Sequence, residues 1–271
     1  MRGVTEIDGS WSRVPGNATG WLAELDPDHG STGFEPPRRP DAAWLLHAMY
    51  VWEDGPVATT HDHVHRSVRE AGLADGSPSS DAPAERGVEA LLAGAVVTGT
   101  GLGRSGHPGP GWRRLRWSEL ADRLGEPPVP RGEYPGRRCL RAARPTGSWS
   151  AAIEPPAEGG LDREGWRRLV QLLALHSPAG SETRCRAFYS PLLTADWEHE
   201  TVLAGRLGDA VALYDHPGMP SCPTNFWAED RSWVVHCHWD LWGTKVAGPR
   251  PLVRDLLGDP DLEALRLPWT S

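Results

Sequence analysis

Lysine is almost missing from this chain. Lys245 is the only one among 28 basic residues, and the others are arginine. Phenylalanine and tyrosine are scarce too, at 3 and 4, against 14 tryptophans. Arginine in place of lysine, with abundant Ala, Gly and Pro, is the composition expected of a high-GC bacterium such as an actinobacterium. No apolar run approaches the roughly 18 residues that a membrane helix needs, so no membrane partner is expected. The opening MRGVTEIDGSWSRVPG lacks the apolar centre of a secretion signal, and a cytoplasmic location is expected. The four cysteines (139, 185, 222 and 237) form no CxxC pair and are expected to be buried thiols, not a disulfide framework. A GxSxG nucleophile elbow is absent as well.

Positive charge is also in deficit. The formal net charge of −8 argues against a nucleic-acid-binding surface, which needs a basic stripe. It suits a protein that draws a basic protein partner by long-range attraction.

What is present divides into three stretches. Residues 1–40 are loop-rich, with Gly, Pro, Asp and Ser and no sustained period. Residues 41–145 are expected to be helix-rich. Over 41–53, Trp44, Leu45, Ala48, Met49 and Trp52 recur at helical spacing, and Asp41 follows Pro40 where an N-cap belongs. A second helix is expected over 61–71, capped by Thr60 and stopped at Gly72. The stretch 75–83 (DGSPSSDAP) reads as a surface loop, with a short helix over 84–93 and a strand over 95–98 behind it. Residues 112–117 alternate Arg with apolar residues like a strand, and a helix runs from Ser118 to Gly125.

From 146 to 271 the pattern is more regular. A strand is expected over 149–154, then a helix behind Asp162 with Trp166, Leu169, Val170 and Leu173 on one face. Residues 183–189 alternate like a strand, and 200–215 fit a helix and a strand equally. The pentapeptide GWRRL occurs at 111–115 and 165–169, but its flanks do not match, as expected of coincidence in a chain rich in these residues. Residues 232–240 alternate over two faces, with Trp233, Val235, Cys237 and Trp239 on the packed one. Residues 241–246 supply the antiparallel neighbour, 251–257 a helix, and 262–267 a last short element. The fold class expected is α+β, an antiparallel sheet with helices packed on one face; 41–145 and 146–271 form one continuous domain or two.

The strings WAEDRSWVV, DLWGTKVAG and LVRDLLGDPDLEALRL carry a resemblance. Over about residues 145–269 the chain resembles the ends of actinobacterial proteins of unassigned function. In its strands followed by a closing helix it is similar to SMI1/KNR4-like immunity proteins. The acidic charge, the abundance of tryptophan and the absence of a catalytic constellation lead to the expectation of a protein-binding role in immunity or regulation, with no cofactor.

Candidate chemistry centres on His236, His238 and Asp240. Strand alternation would set both imidazoles and the carboxylate on one face, which is how sheet-borne zinc or other divalent-metal sites begin. Cys222 or Cys237 lies close in sequence, and His216 or His199 would complete the set for a metal-dependent hydrolase. The competing reading is a hydrogen-bonded histidine pair, because no spacing completes the ligands. His61, His63 and His65 form a second cluster, with no Glu after the first His as in HExxH. Residues 101–106 match GxGxxG, but HPGPG follows where a dinucleotide site needs a helix. Asp196, Glu198 and Glu200 alternate around His199 as a solvated acidic face would. For a protein partner, the candidate binding residues are Trp227, Trp242, Glu229 and Asp230.

Overall fold

The computed structural model describes residues 6–7, 10–14, 16–26, 33–36, 40–54, 59–70, 106–194, 201–215 and 222–266. Their strands are β1 (Glu6–Ile7), β2 (Trp11–Val14), β3 (Asp41–Leu46), β4 (Met49–Trp52), β5 (Trp112–Leu115), β6 (Ile153–Glu154), β7 (Arg184–Tyr189), β8 (Thr201–Arg206), β9 (Asn225–Ala228), β10 (Val234–Cys237), β11 (Gly243–Gly248) and β12 (Ala264–Leu265). Their helices are α1 (Gly20–Leu25), α2 (His61–Glu70), α3 (Trp117–Leu124), α4 (Arg163–Leu175), α5 (Pro191–Thr194) and α6 (Arg250–Gly258). Nine strands form one sheet in the order β1-β2-β8-β7-β9-β10-β11-β3-β12, and three form a second, β5-β4-β6. Every pairing in both is antiparallel. The fold is thus mixed α and β around a large antiparallel sheet, to which strands from all three stretches of the chain contribute.

The helix expected over 41–53 is instead two strands, β3 and β4, and the N-terminal half is dominated by strands. The physical reason is burial on both faces. All six residues of β3 are buried: Leu45 joins the core on one side of the sheet, while Trp44 and Leu46 join the core on the other. A helix facing one layer buries one stripe, whereas a central strand between two layers reads as an unbroken apolar run. Asp41 caps nothing, and its carboxylate accepts from Arg266 at 2.8 Å. The expected linker, helix and strand over 75–98 lie outside the described residues.

One face of the large sheet carries the main core under α4, α6 and the 3-10 turn Leu207–Leu213. Phe226 is its hub, with ring centroids 5.3 Å from Trp166, 5.2 Å from Trp233 and 6.1 Å from Trp11. Each indole N–H is satisfied: Trp166 donates to the Ala210 carbonyl (2.9 Å), Trp233 to Ser177 Oγ (2.8 Å) and Trp11 to the Asp209 carbonyl (3.1 Å). Tryptophan can fill a core in this way because its one polar atom finds a carbonyl or hydroxyl. The Trp11 ring lies flat on Gly205, where any Cβ would collide with it.

Helix α4 begins as expected. Asp162 accepts from the Gly165 N–H at 3.0 Å, and its second oxygen accepts from the Tyr50 hydroxyl at 2.9 Å. The C-terminal unit also follows expectation, with β10 and β11 antiparallel and α6 behind them. The second face is covered in two places. Helix α1 lies over Phe188, Val202, Trp227 and Val234, while the three-stranded sheet and α3 lie over Trp44 and Leu46.

Candidate functional site

Between these two covers the second face is polar. The pairing register sets Phe188, Asn225, His236, Lys245 and Trp44 in one row across β7, β9, β10, β11 and β3. Three of the five are polar, and all three are buried. A buried polar group destabilises unless it is hydrogen-bonded, so the row needs partners from above the sheet.

For Asn225 and Lys245 the segment 33–36 supplies them. Asn225 clamps its backbone in both directions, accepting from Phe34 N–H at 2.9 Å and donating to the Phe34 carbonyl at 2.8 Å. Gly33 has φ +97°, and a Cβ there would collide with Thr224 and come within 3.2 Å of His236 Nε2. Glycine is therefore the residue that lets the chain lie this close to the sheet. The clamp delivers Glu35 to Lys245, whose ammonium donates to Glu35 Oε1 at 2.6 Å. The Lys245 side chain is 3% exposed and the Glu35 side chain 33%. Burial pulls the Lys245 amine below its ordinary value, opposed by the hydrogen bond and charge of Glu35. The Trp44 ring lies beneath the ammonium, 5.9 Å away.

This row opens onto a cluster of loops at the end of β10. Tyr134 donates to Glu35 Oε2 at 3.3 Å. Trp242 N–H donates to the Pro135 carbonyl at 2.8 Å, and Gly159 N–H to the Leu241 carbonyl at 3.1 Å. Loops around 134–136, 157–159 and 238–242 and the segment 33–36 therefore meet here. Burial first, then the Asp240 charge, pushes the Glu158 carboxyl up. Burial pulls His238 down, against the raising effect of Asp240 and Glu35. Tyr134 is raised by burial and then by Glu35.

The predicted ligand set sits at this junction. Strand β10 ends at Cys237, so His238 and Asp240 belong to a turn and not to the alternating face. The rings of His236 and His238 lie edge to face, 6.0 Å between centroids, and Asp240 N–H donates to His238 Nδ1 at 3.2 Å. Cys237 points into the opposite face, beside Cys222. Among the described residues no three His, Cys, Asp or Glu come together as a metal-binding group. His199, His216 and the 196–200 acidic run lie outside the described residues, as does the GxGxxG stretch up to residue 105. His61 is buried, with Nε2 2.8 Å from the Ile153 carbonyl.

Of the predicted binding residues, Trp227 and Trp242 lie inside core clusters, and Glu229 and Asp230 are exposed in the β9–β10 hairpin. Trp239, placed by alternation on the packed side, is 44% exposed because the strand ends two residues before it. Sequence reasoning missed Glu35, Tyr134 and Asn225. Lys245 had a signal: it is the only lysine, and it shares the face of His236 by antiparallel register.

No family model matches the chain, and no curated protein or solved structure matches it. No described helix is long and apolar enough to cross a membrane.

Proposed function

We propose that the protein works by binding another protein, through the loop surface around Trp239 and Tyr134. One observation carries the reading. Among the described Trp, Tyr and Phe residues, Trp239 (44% exposed) and Tyr134 (47%) are the strongly exposed ones, and both belong to this one loop cluster. Exposed aromatics on a supported scaffold are the usual anchors of protein interfaces. The support here is dense: Trp239 stacks on His238 with 6.0 Å between centroids and a 23° interplanar angle, and the Tyr134 ring meets the Trp44 edge at 5.7 Å. Glu35, Glu158 and Asp240 border the rings, and the net charge of −8 favours a basic partner. The acidic charge and the tryptophan-rich composition support an immunity or regulatory role of this kind, the near-absence of lysine supports a high-GC bacterium, and the lack of a long apolar run supports a cytoplasmic location. The experiment is a comparative capture from lysate of the source organism. A protein held by the wild type and lost by a Trp239→Ala/Tyr134→Ala variant with unchanged circular dichroism supports the reading; identical captures reject it.

A second reading, a metal-dependent hydrolase, draws on the closeness of His236 and His238. Weighing against it, no three His, Cys, Asp or Glu come together as a metal-binding group among the described residues.

A further inference from the structure

The thiols of Cys222 and Cys237 lie 3.4 Å apart in the core. Neither they nor the other two cysteines are in a disulfide. The other two turn to backbone carbonyls: Cys139 donates to Tyr134 (3.3 Å) and Cys185 to Thr183 (3.4 Å). Only modest movement separates 3.4 Å from the S–S bond length of about 2.05 Å.

The pair ends a chain of hydrogen bonds with a fixed direction. His47 Nδ1 is 2.6 Å from the Ala157 carbonyl, which can only accept, so Nδ1 carries the ring proton. Nε2 is then an acceptor, and Thr244 Oγ1 donates to it at 2.9 Å. With its one proton committed, Thr244 accepts from the Cys237 thiol at 3.3 Å. The Cys237 sulfur in turn accepts from the Cys222 thiol. All four side chains are buried. The hydrogen bond with Cys222 first, and then burial, hold the Cys237 thiol well above its ordinary value.

We propose that Cys222 and Cys237 are a dithiol modification site, closed to a disulfide by hydrogen peroxide at the end of the relay through Thr244 and His47. Two S–H bonds and the peroxide O–O bond break, and one S–S bond forms. The sulfurs lose two electrons, the peroxide oxygens gain them, and both thiol protons leave in the two water molecules produced. A small uncharged oxidant suits thiols reached by local opening of the core.

The test treats the reduced full-length protein with hydrogen peroxide under native conditions, followed by denaturation, alkylation and peptide mapping. The expected product has lost two hydrogens, links 222 to 237, and leaves Cys139 and Cys185 open to alkylation. Alkylation of all four cysteines, a scrambled set of linkages, or sulfinic acid on either partner without the cross-link would overturn the proposal. Thr244→Val, checked for folding by circular dichroism, should slow cross-linking several-fold; an unchanged rate would remove the relay from the reaction. The wild-type map decides the pairing even if that variant does not fold.

Discussion

Lys245 donates to Glu35 at 2.6 Å from a position directly across the strand pair from His236. The only ammonium side chain in the protein is thus spent inside the sheet, holding down a segment from the N-terminal stretch. Removing one partner of such a pair leaves the other charge buried. Glu35→Gln is therefore expected to destabilise by about 3 kcal/mol, with the one-third exposure of Glu35 keeping it at the low end for buried pairs. Urea unfolding checks the value, and adding Lys245→Met should recover most of the loss.

His47 provides a pH signature. Burial lowers its imidazole from 6.5 to about 4, against the raising effects of the Ala157 hydrogen bond and Asp162. Between those values the unfolded chain binds a proton that the folded chain does not. Stability should therefore fall as pH drops from about 6.5 to about 4, by about 3 kcal/mol in all from this residue. Above the unfolded value the contribution vanishes. Urea midpoints across this window should be flatter for His47→Gln than for the wild type, whatever its absolute stability.

Trp166 tests the main core. It is fully buried, its N–H is bonded to Ala210, and its ring packs on Phe226. Trp166→Ala should cost about 3–5 kcal/mol in unfolding experiments. Trp166→Phe should cost less, since it keeps the ring and loses the hydrogen bond.

Much of this was legible in the sequence where local chemistry decides. The Asp162 cap, the four-residue apolar stripe behind it, and the β10–β11–α6 unit are written in caps, turns and periodicity. The pattern over 41–53 misled because apolar residues at helical spacing in a nearly continuous apolar run also suit a strand buried on both faces. Only the layers above and below it decide which forms. The polar row was half legible: His236 and Lys245 share a face by alternation. Glu35 and Asn225 reach it through pairings 210 and 191 residues apart along the chain, which no local signal announces.

Among the described residues no third ligand comes together with His236 and His238 to hold a metal. Dialysis against a chelator is therefore expected to leave the thermal unfolding midpoint unchanged. A chelator-induced drop that His238→Ala abolishes would install the metal reading instead.

The most direct measurement is the dissociation constant of the captured partner, purified, against wild type and Trp239→Ala, at low and moderate salt. An interface centred on Trp239 predicts at least a tenfold loss on truncation, equivalent to about 1.4 kcal/mol or more. Attraction to a basic partner predicts that wild-type affinity weakens as salt rises. Equal constants for the two proteins would contradict binding through this surface.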